Sequence, residues 1–246
     1  MTRKYALPSR ENQTRYIQEN FDAIAPSYNR FNDVATFGLH RVWKNRAIKA
    51  ANLKHPFHAL DLCSGTGDLA LRLLDLALPG SLVTALDFSS SMLTILENRL
   101  PAEKRSMLHC HAGDATDLSF LEDDSQDAVT IGFGLRNIQN REQALRETLR
   151  VLRPAGRLII LEVGKVQLPV IAQLHGFFFR RMVPWIGYLV EGRKNEMYDY
   201  LPASADIYPS QKEMVHELKA AGFADVQYTN FMFGATALHV AFKPSI

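Results

Sequence analysis

The feature that most constrains this chain is a glycine-rich turn set between a short apolar run and an amphipathic stretch. His58-Ala-Leu-Asp-Leu-Cys63 reads as a buried strand, Ser64-Gly65-Thr66-Gly67 as the turn, and Leu69–Leu78 as a helix stopped by Pro79-Gly80. Further strands are expected at Ser81–Leu86, Met107–His111, Asp127–Gly132 and Arg157–Val163, with helices at Met92–Leu100 and Arg141–Leu152 between them. Short apolar strands alternating with helices imply a parallel sheet covered on both faces. The end of the chain differs. A helix over Gln211–Ala221 precedes two extended stretches, Val226–Phe231 and Ala237–Phe242, which suit an antiparallel pair closing one edge of the sheet.

Two regions stand outside that alternation. Residues 1–55 read as a helical flank, with Ile17, Phe21, Ile24 and Tyr28 at helical spacing and a second stripe of Leu39, Val42, Trp43, Ala47 and Ala50. Residues 164–205 form an aromatic-rich insert that fits no helix–strand pattern.

The glycine turn favours a nucleotide-like ligand. Glycines let a ligand come close to backbone, the following helix offers free N–H groups, and a carboxylate at the end of the next strand can accept ribose hydroxyls. Asp87 holds that place, 20 residues after Gly67. The bare pattern Gly65-Thr66-Gly67-Asp-Leu-Ala70 does not separate a nicotinamide dinucleotide from S-adenosylmethionine. Tight strand–helix packing with no ligand is a third use of it. Three features favour S-adenosylmethionine: Asp61 before the turn, placed for an ammonium group; Asp114-Ala115 after the third strand, placed for an adenine amino group; and the antiparallel C-terminal pair.

Composition narrows the class. The 246 residues are 47% apolar and 22% charged, which is ordinary for a globular domain. Twenty-eight basic against 26 acidic residues give a formal charge of +2, so no nucleic-acid partner is expected. The surplus sits in the flank, chiefly Arg41, Lys44, Arg46, Lys49 and Lys54. It reads as a solvated helix face, or as a contact with anionic lipid or a carboxylate. Two cysteines, Cys63 and Cys110, give neither a disulfide scaffold nor a zinc site. The N-terminus has no apolar core of the secretory kind, and no apolar run is long enough to span a membrane. A cytoplasmic enzyme is expected.

Other motifs carry a resemblance. Phe21-Asp-Ala-Ile-Ala25 with Tyr28 and Asn32, Gly38-Leu-His40-Arg41-Val-Trp43, Leu60–Asp68, Phe133-Gly-Leu-Arg-Asn137 and Arg150-Val-Leu-Arg-Pro154 lie along most of the chain. Tyr200-Leu201 with Ser204 and Pro209, then Gly222-Phe223, Gly234 and Ala237-Leu-His239, complete the set. Together they resemble the ubiquinone/menaquinone-biosynthesis C-methyltransferases, a class I S-adenosylmethionine-dependent family.

The resemblance implies a Rossmann-like α/β fold with a mostly parallel seven-stranded sheet and an antiparallel C-terminal strand. It implies a flank (1–55) capping the site, and a methyltransferase domain (56–246) whose insert (164–205) faces the acceptor. Tyr28, Asp61, Gly65, Thr66, Gly67, Asp87, Phe88, Asp114, Ala115 and Gly132 are expected at the cofactor. Phe133, His175, Phe178, Tyr200 and His239 are expected at the acceptor. Some positions depart from the usual pattern: Gly164 stands for serine, His175 and Phe178 for tyrosines, and Asn29 for aspartate.

The implied reaction, carbon methylation of a prenylated quinol, sets chemical demands. The ring carbon becomes nucleophilic when a neighbouring hydroxyl ionises, and with a phenol pKa near 10 this costs roughly 4 kcal/mol at pH 7. Arg136, after the fourth strand, is assigned phenolate stabilisation, and Asn137 orientation of the oxygen or a water. Pairing of Arg136 to an acid as scaffold is the competing reading. His40, His175 and His239 are candidate bases. His109 and His111 lack carboxylate support, so no metal is expected. The insert reads as a gate for a polyprenyl chain resting on a membrane surface, or as core filling or a homodimer contact. Two other functions stay open: methylation of a different aromatic or polyketide-like acceptor, and non-catalytic cofactor binding or assembly.

Overall fold

The computed structural model of the chain describes residues 10–245. The first nine residues, part of the stretch with no expected leader, lie outside the described residues. Three helices lead into the sheet: α1 (Arg10–Ile24), α2 (Tyr28–Ala35) and α3 (Leu39–Ala51). Then follow β1 (His58–Leu62), α4 (Asp68–Leu76), β2 (Leu82–Asp87), α5 (Ser90–Arg99), β3 (Leu108–Ala112), β4 (Gln126–Gly132), α6 (Arg141–Val151) and β5 (Leu152–Val163). After an insert come α10 (Gln211–Ala220), β6 (Ala224–Phe231) and β7 (Thr236–Phe242).

The seven strands pair in the order β3-β2-β1-β4-β5-β7-β6. Every pair through β5 is parallel, and β7 runs antiparallel to both β5 and β6. The antiparallel pair is present as expected, with β7 inside and β6 at the edge. Strand order reverses between β1 and β4, which opens a crevice at their carboxyl ends. Alternation along each strand divides the core. Ala59, Ile159 and Leu161 face α3, α4 and α5, whereas Leu60, Leu62 and Ile160 face α6 and α10.

The insert is mostly helical. α7 (Pro169–Phe177) runs through a π-helical turn, Phe178–Met182, into α8 (Val183–Glu191), and α9 (Met197–Ile207) follows. Its missing strand alternation has a physical reason: these helices do not pack on the sheet. Val183, Ile186, Met197, Tyr198 and Tyr200 form a third core with Ile17, Phe21, Ile24 and Phe31 of the N-terminal flank. Helices α1 and α2 of the flank thus form one layer with the insert, while α3 packs on the sheet.

One stripe needs correction. Val42 is exposed, whereas His40 and Lys44 are buried on α3 beside Trp43 and Ala47. Lys44 is not part of a solvated face. Its ammonium sits 2.6 Å from Asp68 Oδ2.

Candidate active site

The carboxyl ends of β1, β2 and β4 line a small cavity of about 40 Å³. Cys63 and Gly65 line it from the first turn, Asp87 and Phe88 from the second, and Gly132, Phe133 and Gly134 from the third. Phe21, Tyr28, Met92 and Asn137 complete the wall. Gly67 is required by both geometry and space: its φ is +84°, and a Cβ there would run into Leu96.

Asp87 Oδ2 accepts from Gly65 N at 2.8 Å and Oδ1 from Ser89 N at 2.9 Å. Burial pushes this carboxyl up to about 6, against the two backbone donors. Helix α1 crosses above it. Asp22 accepts from Ser89 Oγ, Gln18 donates to the Phe88 carbonyl at 3.0 Å, and Thr66 Oγ1 donates to Asn29 Oδ1 at 2.8 Å.

A second cavity, about 520 Å³, lies beyond. Tyr28 and Phe133 stand on the walls of both cavities. Its lining is largely apolar, with Phe31, Trp43, Phe178, Phe179, Val183 and Leu201, and it includes His40, Lys44, Arg136 and His175. Arg136 donates to the Phe133 carbonyl at 2.7 Å and pairs with Glu162. Burial works against its charge, but Glu162, Tyr28 and Tyr200 outweigh it, so the pKa is raised and the guanidinium stays cationic. Its Nε is buried with no hydrogen-bond partner. Burial, first among several influences, raises the Tyr28 phenol, which therefore stays protonated at neutral pH.

A family model described as the ubiE/COQ5 methyltransferase family matches residues 9–243. The chain belongs to that family. A demethylmenaquinone methyltransferase of Leptospira interrogans is 44% identical over 244 residues, covering 98% of each chain. A demethylmenaquinone methyltransferase of Staphylococcus aureus is 37% identical over 228 residues, covering 92% of each. In fold, a SAM-dependent methyltransferase from Thermotoga maritima superposes with a TM-score of 0.63 at 18% identity, covering 92% of this chain and 99% of that one. The enzyme is an S-adenosylmethionine-dependent methyltransferase.

The small cavity fits that family's cofactor by its donor set. It offers a carboxylate at a strand end, a glycine turn in which a Cβ at Gly65 meets only open space, and the apolar faces of Phe88 and Met92.

Of the residues expected at the cofactor, Tyr28, Gly65, Asp87, Phe88 and Gly132 meet around this cavity. The others stand elsewhere. Asp61 is buried and committed internally, accepting from Ser64 Oγ at 2.7 Å, Ala70 N at 3.0 Å and Thr130 Oγ1 at 2.6 Å. It braces the turn and does not face the cavity. Thr66 is turned to Asn29, and Gly67 packs on Leu96. Asp114 is exposed and accepts from Thr116 N, and Ala115 belongs to the core with Leu118 and Leu135.

At the acceptor side, Phe133, His175 and Phe178 line the large cavity. Tyr200 stands behind it, its hydroxyl donating to Asn137 Oδ1 at 3.1 Å. His239 lies on neither wall. Its register opposite Ile160 turns it to the α10 face, where Nε2 is 3.2 Å from the Gln211 carbonyl oxygen. His111 stacks on Phe120 at 3.8 Å. Among the described residues no three His, Cys, Asp or Glu side chains are placed to hold a metal ion.

Sequence reasoning missed Glu162, the partner of Arg136, and the Asp33–His40–Lys44–Asp68 cluster, in which His40 and Lys44 are buried. The signal for the cluster was present: His40 and Lys44, four residues apart, share a helix face with Ala47 and Ala51.

Proposed function

We propose that this enzyme transfers a methyl group from S-adenosylmethionine to a ring carbon of a prenylated quinol, demethylmenaquinol being favoured over the ubiquinol precursor. The observation that carries the reading is the shared wall. The small cavity at the strand ends shares Tyr28 and Phe133 with a far larger, mostly apolar cavity whose lining includes the cationic Arg136. The two curated relatives are named for the same acceptor class. Each methylene of a tail buried there contributes about 0.8 kcal/mol.

The bound cofactor supplies an electrophilic methyl carbon on a sulfonium, which departs leaving its electron pair on sulfur. Everything else falls to the chain. Arg136 Nε, buried without an acceptor, donates to the ionising ring oxygen and lowers the cost of its charge. Asn137, oriented by Tyr200, holds the oxygen or a water beside it. The flank 1–55 acts as a cap through the Asp22–Ser89 and Asn29–Thr66 contacts, and the insert 164–205 walls the acceptor within the domain 56–246.

A membrane surface is the source of so apolar an acceptor. Phe37 is 81% exposed and Phe233 60%, and both, with Met232, hold backbone φ near +50°. Bulky residues in that conformation are strained, yet here they present apolar side chains to solvent. Phe37 and Met232 also line the large cavity. We assign these exposed apolar residues, and separately Leu174 and Phe177 of the insert with the exposed Arg180 and Arg181, to contact with an anionic bilayer. No helix among the described residues is long and apolar enough to cross a membrane. A homodimer through Trp185, Tyr188 and Leu189 is the competing use of the exposed insert face.

Mass spectrometry of quinones from cells lacking the protein tests the function. A quinone one methyl lighter is expected, and an unchanged quinone profile contradicts it.

A further inference from the structure

Asp33 on α2 and His40 on α3 face each other across the turn between the helices. His40 Nε2 stands 2.8 Å from Asp33 Oδ1. Arg41 grips the same carboxylate from outside, with Nε at 2.8 Å and Nη2 at 2.6 Å. The hydrogen bonds from Arg41 and then His40 hold the Asp33 carboxyl at about 2. An ionised carboxylate only accepts, so Nε2 carries the ring hydrogen of the neutral imidazole and Nδ1 keeps a bare lone pair. That Nδ1 is buried and has no hydrogen-bond partner. A buried polar atom left unpaired costs free energy, yet this one belongs to a side chain on the wall of the acceptor cavity.

We propose that His40, oriented by Asp33, is the proton acceptor for the quinol hydroxyl, taking the proton at Nδ1 directly or through one water. The inference rests on the quinol reading above. The O–H bond breaks with its electron pair left on oxygen, and the proton forms an N–H bond at Nδ1. Once the ring carbon carries the methyl group, its displaced hydrogen leaves as a proton and the imidazolium returns its own to the ring oxygen. One proton is therefore released per turnover, with no other reactant.

The surroundings suit both states of the ring. After protonation each nitrogen faces a carboxylate, Asp33 at 2.8 Å and Asp68 Oδ2 at 4.0 Å. Before it, burial is the main influence keeping the imidazole neutral, and Lys44 one turn along α3 adds to it. The charged groups around the ring are Asp33 from α2, Arg41 and Lys44 from α3, and Asp68 from α4. Arg99 from α5 acts through Asp68 at 2.9 Å. The other cavity histidine, His175, has no carboxylate to orient it and sits beside Arg180.

H40Q separates this role from a purely structural one, because the glutamine amide can still donate to Asp33 but offers no base. With demethylmenaquinol and labelled S-adenosylmethionine, H40Q is expected to lose 10²–10⁴-fold in kcat. Its quinol KM and its affinity for S-adenosylhomocysteine stay within about threefold of wild type. The acid limb of the wild-type kcat profile, below pH 6.5, disappears. D33N serves as the second variant, and ¹⁵N spectra of the histidine rings give a readout apart from turnover. In wild type at pH 7 the His40 ring, identified as the signal that H40Q loses, is protonated at Nε2 with bare Nδ1, and in D33N it is a tautomer mixture. An H40Q enzyme with near-wild-type kcat, or a wild-type His40 protonated at Nδ1, overturns the proposal. Absence of methyl transfer by wild type, with the Nε2–H tautomer present, would instead overturn the quinol reading.

Discussion

Arg136 and Glu162 form an ion pair sealed inside the protein, their side chains 6% and 1% exposed, with Arg136 also on the wall of the acceptor cavity. Glu162 Oε1 further accepts from Val163 N at 2.8 Å, and Oε2 from Arg136 N at 3.3 Å, so the acid anchors the end of β5 as well as the guanidinium. Scaffold and chemistry therefore share one pair. Removing one partner of a buried pair costs about 3–5 kcal/mol, whereas replacing both by apolar groups is often close to neutral. R136A and E162Q should each lower unfolding free energy by roughly that amount. The double variant R136M/E162L should recover most of it yet transfer methyl at least 100-fold more slowly. Urea denaturation beside a methyl-transfer assay checks this; a double variant that regains activity contradicts the assigned role.

The fold was largely legible because β1, its glycine turn, α4 and β2 follow local rules. Apolar runs of strand length, Pro79-Gly80 and an acid at each strand end carry their own signals. Long-range placement was not legible. Glu162 reads as one more residue of an apolar strand, and only the return of the Phe133–Asn137 turn to β5 makes it the partner of Arg136. His239 looked available because the sequence does not tell which face of β7 packs on α10. Lys44 was read as solvated because its partner, Asp68, belongs to a different helix 24 residues away.

Asp61 gives a pH dependence with a definite sign. Burial pushes its carboxyl up to about 6, despite hydrogen bonds from Thr130, Ser64 and Ala70 that favour the charged form. A folded-state pKa above the unfolded value near 3.9 means that its stabilising contribution is complete below pH 4 and is lost as pH rises through 6. D61N is neutral throughout and can keep the same contacts, since the Thr130 hydroxyl can turn to accept. Between pH 4 and pH 7, D61N should gain roughly 3 kcal/mol relative to wild type. Asp87, raised to about 6 as well, adds a similar slope to both proteins and cancels in the comparison. Unfolding free energies measured across that range check the sign; a D61N protein that loses ground as pH rises contradicts it.

The Asn29–Thr66 hydrogen bond fastens the flank to the glycine turn. N29A removes one neutral hydrogen bond, worth about 1 kcal/mol. It should weaken S-adenosylhomocysteine binding about fivefold by calorimetry and speed hydrogen exchange in α1 and α2. Unchanged exchange in these helices would separate the flank from the cofactor site.

The exposed Phe37, Met232 and Phe233 predict partition onto vesicles. F37S/M232S/F233S removes three exposed apolar side chains without touching a packed core, so stability should fall by less than about 1 kcal/mol. Flotation with vesicles containing a quarter anionic lipid should drop at least tenfold. Equal flotation of variant and wild type would move the contact elsewhere or end it.

The meeting of the two cavities at Tyr28 and Phe133 is tested most directly by single-turnover transfer from methyl-labelled S-adenosylmethionine to demethylmenaquinol in detergent, read by mass spectrometry. Label on the quinol ring carbon, with R136A at least 100-fold slower while still binding S-adenosylhomocysteine, is the outcome the structure predicts. Tight S-adenosylhomocysteine binding with no label reaching the quinol would contradict it.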